Sequence, residues 1–176
     1  KWLKGEGIRS KNRIFRRIKR KLFGKNLREC INEGLIFGKK HSLVEVPEFG
    51  SEPYLIEIGD NFRCSFGVKF ITHDGGVWVL RKMSSVSEST SKIGRIKLGN
   101  NIFIGIYSIV FPGVSIGDNV IIRANTLVNK DIPNNSVVAG SSCKVISTIE
   151  EHYEKNKNEF IKYRTSMILK QKNFFY

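Results

Sequence analysis

His73 is the residue whose type and surroundings most favour chemistry. The chain has three histidines, His41, His73 and His152, and an imidazole titrates near neutral pH, so it can accept a proton from a substrate. His73 follows an aliphatic segment and precedes a polar loop, in Phe-Ile-Thr-His-Asp. A strand end beside a loop is a place where a rigid scaffold presents a catalytic group. Local sequence alone leaves two interpretations open, a general base and a surface histidine in a turn.

Carboxylates near His73 are candidates for orienting its imidazole. Asp74 is adjacent in sequence, and it could orient the ring, receive a substrate hydroxyl, or only shape the turn. Glu57 and Asp60 could supply the orienting role instead, and the sequence does not decide between them.

A six-residue period defines the elements that must position these side chains. Stepping by six from Leu98 gives only aliphatic residues: Leu98, Ile104, Val110, Ile116, Ile122 and Val128. Four residues after each stand small or β-branched residues: Ile102, Ser108, Val114, Val120, Thr126 and Ile132. β-branched residues favour strands, and stacked short units bury a continuous aliphatic column that none can bury alone. The pattern predicts an all-β solenoid of short strands and sharp corners, with one side chain per hexad pointing inward.

Glycine follows the inward aliphatic in several hexads, as at Gly99, Gly105 and Gly117. We expect these glycines to adopt positive φ at the corners. The same phase occurs earlier, at Ile58, Cys64 and Phe70, and a loop insertion at about 74–95 interrupts it. An antiparallel sandwich is the alternative, but it should show Asn-Gly or Asp-Gly hairpin turns.

The net charge of +14 over 176 residues is concentrated at one end. Residues 1–28 hold twelve Lys or Arg and one acid, a net of +11, and the remainder carries only +3. Within this segment, residues 10–23 show an apolar stripe at helical spacing with basic residues around it, which predicts a basic amphipathic N-terminal helix. Three interpretations stay open: packing on the main domain or a partner subunit, contact with the anionic inner membrane surface, and nucleic-acid binding, which no zinc-finger or RNP-type motif supports.

Cysteine use and hydropathy bear on the compartment. Cys30, Cys64 and Cys143 are an odd number at irregular spacing, which fits a reduced cytoplasmic protein better than a disulfide framework. No apolar stretch approaches the ~18 residues of a membrane span, and no secretory leader is apparent. We expect a cytoplasmic location, peripheral to the inner membrane face if the basic helix binds there.

The segment 147–176 predicts a C-terminal helix. Ser147 or Thr148 can serve as the cap, and Glu150 and Glu151 lie in the first turn, where acids favour a helix start.

Two runs of sequence resemble a known family. They are IGDNFRCSFGVKFITHDGGVWVL and IGIYSIVFPGVSIGDNVIIRANTLVNKDIPNNSVVAGSSCKVI. Together they are similar to the hexapeptide-repeat acyltransferases of the left-handed β-helix class, above all to O-acetyltransferases that modify sugars of bacterial surface glycans. The resemblance covers about residues 34–146. It implies a homotrimer of three-sided prisms, acetyl-CoA as co-substrate, a sugar or glycan intermediate as acceptor, and His73 as general base in direct acyl transfer, with no enzyme nucleophile.

The resemblance also implies a coenzyme groove along a prism edge between subunits. By this resemblance, the groove residues of this chain are Gly105, Ile106, Ala124, Asn129, Lys130 and Lys144. The chain departs from the family pattern at Arg123 and at Ser142, where the family often has glycine and proline. Trp78 and Arg81, in the inserted loop, are the expected acceptor contacts; packing is the alternative for Trp78.

Three other functions are weighed against O-acetylation of a sugar hydroxyl. N-acetylation of an amino sugar, or of a nucleotide-linked amino sugar, could use the same histidine. A zinc enzyme on the same prism needs three converging histidines, and His41 and His152 lie outside the core coils, so we expect no metal. A non-enzymatic scaffold would use the basic arm and would bind with strong salt dependence.

Overall fold

The computed structural model describes residues 25–160. The helix predicted at 10–23 lies outside the described residues, and so does the C-terminal part of the predicted tail helix, 161–176. The described strands are β1 Ile36–Phe37, β2 Ser42–Leu43, β3 Ile56–Ile58, β4 Phe62–Cys64, β5 Lys69–Phe70, β6 Ile96–Leu98, β7 Ile102–Ile104, β8 Ile109–Val110, β9 Ser115–Ile116, β10 Val120–Ile122, β11 Leu127–Val128, β12 Ser136–Ala139 and β13 Lys144–Thr148.

These strands form three sheets, and consecutive strands of each coil lie in different sheets. Sheet 1 has the order β1-β3-β6-β9, sheet 2 the order β2-β4-β7-β10-β12-β13, and sheet 3 the order β5-β8-β11. Every pair of neighbours is parallel except β12 and β13, which are antiparallel. The chain therefore winds as a three-sided parallel solenoid, as the hexad pattern predicts.

The strand register confirms the period. Leu98 pairs with Ile116, Ile104 with Ile122, and Val110 with Val128. Each pair is separated by 18 residues, so one coil contains three hexads. The aliphatic column from Leu98 to Val128 is at most 3% exposed.

Each hexad contributes two side chains to the core, one more than the sequence pattern predicts. The small and β-branched column is buried as well, with Ile132 the most exposed member at 4%. The prediction of a single inward side chain per hexad is therefore wrong, because a second position points into the prism beside each corner. Its polar members are satisfied there: Ser108 and Thr126 both donate to the carbonyl oxygen of Arg123, at 3.0 and 2.6 Å.

The glycines that follow the aliphatics have a different role from the one expected. Gly99, Gly105 and Gly117 are not among the residues with positive φ, which lie two positions further along, as at Asn101 and Asn119. A Cβ on Gly105 would lie only 2.5 Å from the backbone nitrogen of Ala124 in the next coil. These glycines are required because consecutive coils approach closely, and asparagine tolerates the left-handed conformation at the turn.

Asparagines at one corner are joined from coil to coil. Asn61 donates to Asn101, Asn101 to Asn119, and Asn119 to Asn135, each through a side-chain amide at 2.8 Å. All four have φ between 55° and 58°. The same residue type thus supplies the turn conformation and a hydrogen-bonded ladder along the prism.

An inserted loop leaves the solenoid between β5 and β6. It contains the short helix α2, Val77–Lys82; the sequence predicted only a polar loop in this region. The base of the loop is closed by an antiparallel bridge between His73 and Ile93, and the backbone nitrogen of Gly94 donates to the carbonyl of Thr72 at 2.9 Å. His73 therefore lies where the loop meets the rigid coils.

Helices flank the solenoid at both ends of the described chain. The helix α1, Leu27–Asn32, begins at a capping box of Asn26 and Glu29 and contributes the buried Cys30 to the core. The helix α3, Ile149–Asn156, begins at a capping box formed by Thr148 and Glu151, as the sequence predicts. A 3-10 turn at Lys157–Glu159 follows it. Between residues 25 and 160, no helix is long and apolar enough to cross a membrane.

Candidate active site

His73 is oriented by a carboxylate that the sequence did not single out. Its Nδ1 lies 3.0 Å from Oε2 of Glu52, which stands in the loop that precedes β3 in the coil below the insertion. The imidazole is half exposed at 51%, and the carboxylate is more enclosed at 22%. An ionised carboxylate only accepts, so Nδ1 carries the proton and Nε2 is left as a base.

The Glu52 carboxylate is itself held in its charged form. Its Oε2 accepts a hydrogen bond of 2.6 Å from Oγ1 of Thr72, a side chain only 1% exposed. This bond is the main reason that the pKa of Glu52 lies below its ordinary value; partial burial opposes it, and hydrogen bonds from His73 and Ser51 add to it. Thr72 and His73, neighbours in the chain, therefore both contact one ionised carboxylate.

Asp74, expected to act beside His73, has its recorded polar contacts elsewhere. Its Oδ1 accepts from the backbone nitrogen of Gly76 at 2.9 Å, and its Oδ2 forms a 3.0 Å ion pair with Lys92. Both interactions lower the pKa of Asp74, the bond from Gly76 more than the lysine. They place this carboxylate in the base of the inserted loop.

The two alternative carboxylates are also engaged away from the imidazole. Glu57 lies 3.6 Å from Nζ of Lys97. Oδ1 of Asp60 accepts from the backbone nitrogen of Lys39 at 2.7 Å. The structure thus brings to His73 none of the three predicted carboxylates but a fourth, Glu52.

A cleft of about 980 Å³ opens beside His73. Most of its walls come from the loop between β2 and β3 and from the corner between sheets 2 and 3. The walls consist of Lys25, Glu45, Val46, Pro47, Glu48, Phe49, Gly50, Ser51, Phe66, Gly67, Val68, Lys69, His73 and Tyr107. Charged groups, exposed aromatic rings and one basic imidazole therefore share a single concave surface, which is the usual composition of a ligand site.

The expected acceptor contacts lie on the inserted loop and do not line this cleft. Trp78 is 61% exposed. The guanidinium of Arg81 donates to the carbonyl of Thr90, at 2.8 Å from Nε, and to Oγ of Ser91 at 3.2 Å. Arg81 thus closes the loop on itself, and Trp78 does not line the cleft.

Part of the predicted coenzyme groove follows the corner between sheets 2 and 3. Ile106 and Ala124 are exposed and lie one above the other, since Ile104 pairs with Ile122 just before them. Gly105 is buried, and its missing side chain makes room for the backbone of Ala124. This edge continues from the cleft, because the nitrogen of Tyr107 donates to the carbonyl of Phe66 at 3.0 Å.

The remaining predicted groove residues lie at the far end of the solenoid. Oδ1 of Asn129 accepts from Oγ of Ser142 at 2.8 Å, so the serine that departs from the family pattern is tied to a predicted groove residue. Lys130 and Lys144 are exposed. Neither lysine forms an ion pair with another residue of the described range, so both charges are open to an anionic ligand.

Among residues 25–160, no group of three or more His, Cys, Asp and Glu could hold a metal ion. Cys64 is fully buried, and burial, with a smaller contribution from Glu45, raises the pKa of its thiol to about 12. A thiol with that pKa is a poor nucleophile at neutral pH.

Residues 95–130 match the family model described as bacterial transferase hexapeptide, six repeats. Over this segment the chain is similar to hexapeptide-repeat transferases. Protein CapG of Staphylococcus aureus is 44% identical over 112 residues, 64% of this chain and 63% of the relative. The galactoside O-acetyltransferase of Escherichia coli K12 is 34% identical over 133 residues, 65% of this chain and 66% of the relative. The chain thus spans just under two thirds of the length of these curated relatives.

Solved structures of two acetyltransferases share the fold. A galactoside acetyltransferase in complex with coenzyme A aligns with a TM-score of 0.55 at 24% identity and covers 93% of this chain and 90% of its own. A maltose O-acetyltransferase from Clostridium difficile 630 aligns with a TM-score of 0.52 at 26% identity, covering 79% and 87%. These neighbours are left-handed β-helix proteins, which agrees with the fold class that the sequence predicts.

Proposed function

We propose that this hexapeptide-repeat protein is an acetyl-CoA-dependent O-acetyltransferase acting on a hydroxyl of a sugar, in a bacterial surface glycan or its precursor. The observation that carries the proposal is the His73 imidazole, held through Nδ1 by the ionised Glu52 on the wall of a large cleft. The names of the relatives support the reaction class, since they include galactoside and maltose O-acetyltransferases.

In the proposed reaction His73 is the general base. Nε2 takes the proton from the acceptor hydroxyl as the acceptor oxygen bonds to the acetyl carbon. The carbon–sulfur bond then breaks, and the imidazolium returns the proton to the departing sulfur. The products are the acetyl ester and the free thiol. Such proton transfer accounts for roughly 10²–10⁴-fold in rate, and holding both substrates in line accounts for much of the rest.

Glu52 is proposed as the positioning residue in place of Asp74. Its carboxylate fixes the ring and the tautomer through Nδ1, and it stabilises the imidazolium that forms during proton transfer. Thr72 keeps this carboxylate ionised. Asp74 would contribute indirectly, by holding Lys92 and the base of the loop in which His73 stands.

The corner between sheets 2 and 3 fits the pantetheine arm of acetyl-CoA. Ala124 presents a small side chain and Ile106 an aliphatic one along an exposed edge that continues from the cleft. Lys130 and Lys144 are exposed charges suited to the coenzyme phosphates. Acetyl-CoA would supply the activated acetyl group. This chain's residues would bind it, orient it and take the proton from the acceptor.

The assembly and location follow as further proposals. We propose a homotrimer, because a groove along a prism edge needs a second wall. In such an assembly the exposed Trp78 on the inserted loop could contact an acceptor bound by a neighbouring subunit. A cytoplasmic location, with contact of the basic N-terminal segment with the inner membrane surface, remains a prediction.

The test is acetyl transfer by the full chain to a panel of sugars, followed as free thiol released from acetyl-CoA. We expect transfer to hydroxyl acceptors, such as galactosides and maltose, well above transfer to matched amino sugars. A clear preference for the amine would favour the N-acetyltransferase alternative. Absence of transfer, together with salt-dependent binding and no affinity for coenzyme A, would favour the scaffold.

A further inference from the structure

Tyr107 occupies a corner position that other coils give to smaller residues. The corners with positive φ that fall three residues after a core-facing side chain include Lys40, Asn61, Gly67, Asn101, Tyr107, Gly113, Asn119, Asn125 and Asn135. All of them except Lys40 and Tyr107 are Asn or Gly. Tyr107 has a φ of 56°, a conformation that is unfavourable for a bulky side chain. Strain of this kind tends to occur at functional positions.

The surroundings of Tyr107 are built to accommodate its ring. In the coil below, a Cβ on Gly67 would lie 2.4 Å from Cδ1 of Tyr107, so the ring crosses the space that only glycine leaves free. The ring of Phe66 stands edge to face with it, with centroids 5.5 Å apart and an interplanar angle of 80°. The turn conformation of Tyr107, the missing side chain of Gly67 and the ring of Phe66 therefore fix the Tyr107 ring at this corner.

The two rings are fixed but not buried. Tyr107 is 54% exposed and Phe66 is 43% exposed, so they contribute little to the core. Both line the cleft that contains His73. An exposed aromatic pair on the wall of that cleft is better explained by a ligand than by packing.

Polar groups stand beside the rings on the same wall. Lys69 and Glu48 form an exposed ion pair of 2.8 Å. Glu45 accepts from the backbone nitrogen of Gly67 at 2.9 Å through Oε2, which leaves its other oxygen for further bonds. A flat apolar surface bordered by charged hydrogen-bonding groups matches a pyranose, which has a face of C–H bonds and a rim of hydroxyls. C–H groups are attracted to the electron-rich face of an aromatic ring.

We infer that Tyr107, supported by Phe66, is the platform on which the pyranose ring of the acceptor stacks, while Glu48 and Lys69 bind its hydroxyls. This inference rests on the proposed function. It names the acceptor class as a cyclic sugar whose apolar face lies on Tyr107 while a hydroxyl reaches His73. It places the acceptor contact at the corner between sheets 2 and 3, in the same subunit as the base.

The experiment uses the full chain, acetyl-CoA, and three acceptors: methyl β-galactopyranoside, maltose and the acyclic glycerol. Tyr107→Asn replaces the ring with the residue that the same turn has at Asn101 and Asn119, so folding and melting temperature should be retained or improved. Tyr153→Asn is the matched control, because Tyr153 is similarly exposed at 55% and lies on α3, outside the cleft lining.

For Tyr107→Asn we expect the KM for both sugars to rise about 5- to 10-fold, the KM for acetyl-CoA to change less than about twofold, and the KM for glycerol to rise less than that for either sugar. Tyr107→Phe, which keeps the ring, should recover most of the sugar affinity. Saturation-transfer NMR should show contact with the C–H face of the sugar in the wild type and lose it in Tyr107→Asn.

The outcomes separate this inference from the proposed function. If the wild type acetylates the sugars and Tyr107→Asn leaves their KM unchanged, the platform is wrong and the proposed function stands. A rise confined to the KM for acetyl-CoA would assign the ring to the coenzyme, and loss of the fold would assign it to structure; both overturn the inference. If the wild type acetylates no sugar, the proposed function fails and the inference fails with it.

Discussion

Oε2 of Glu52 lies 3.0 Å from Nδ1 of His73 and also accepts a hydrogen bond of 2.6 Å from the hydroxyl of Thr72. This shared acceptor joins two segments of the chain. One precedes β3, and the other enters the inserted loop after β5. The two hydrogen bonds to Glu52 couple the orientation of His73 to the packing of two coils. The proposed base is therefore positioned by the rigid solenoid as well as by its own loop.

Glu52→Gln should lower turnover while leaving substrate affinity nearly intact. The amide keeps the shape but removes the charge that stabilises the imidazolium, so we expect kcat to fall about 10-fold or more. The KM for acetyl-CoA should change less than about twofold. Steady-state kinetics with both substrates varied will separate the effect on kcat from the effect on KM.

A conservative variant and a neighbouring carboxylate provide the controls for this prediction. Glu52→Asp keeps the charge and should recover part of the lost kcat. Asp74→Asn, which removes the carboxylate paired with Lys92, should reduce kcat less than Glu52→Gln does. The reverse order would return the orienting role to Asp74.

The lowered pKa of Glu52 predicts how its contribution to stability depends on pH. A carboxyl whose pKa is lower in the folded state than its ordinary value of 4.5 stabilises the fold above that value, and the contribution disappears as the pH falls through the folded pKa. The difference in unfolding free energy between the wild type and Glu52→Gln should therefore be constant near pH 6–7 and shrink below about pH 4.5.

Urea unfolding of both proteins from pH 7 to pH 3.5 measures this difference. Asp74 also has a lowered pKa, but it is present in both proteins, so its effect largely cancels. A difference that grows on acidification would contradict the assignment of Glu52 as an ionised partner of His73.

Gly105→Ala tests the close approach of consecutive coils. The new Cβ would lie 2.5 Å from the nitrogen of Ala124 and 2.8 Å from the carbonyl carbon of Arg123. Both are backbone atoms that cannot rotate away, so we expect a loss of about 3 kcal/mol or more in the free energy of unfolding.

Gly75→Ala is the matched control, since a Cβ there has nothing within 4 Å. It should change stability by less than about 1 kcal/mol. Thermal and denaturant unfolding of the two variants compare them directly. If Gly105→Ala were as well tolerated as the control, the tight stacking at this corner would be wrong.

The solenoid was predictable because its information is local and periodic. The column from Leu98 to Val128 repeats every six residues, and each member needs only the next coil to be buried. The start of α3 was predictable for a similar reason, since Thr148 and Glu151 form the capping box within one turn of helix.

Glu52 could not be found from the sequence, because its contact with His73 joins residues 21 positions apart across two irregular loops. The hexad period does not extend over either loop, and nothing in the residues around Glu52 distinguishes it from Glu48 or Glu57. The role of Gly105 was missed for a related reason. Glycine suits a positive φ and a close backbone approach equally well, and only the position of Ala124 decides between them.

The most direct test of the account is the rate of acetyl transfer by the wild type and by His73→Ala, with the acceptor saturated and acetyl-CoA varied. We predict that turnover falls at least ~10²-fold in the variant, while the affinity for coenzyme A, measured by calorimetry, and the melting temperature stay close to those of the wild type. Undiminished turnover in the folded variant would contradict the assignment of His73 as the general base.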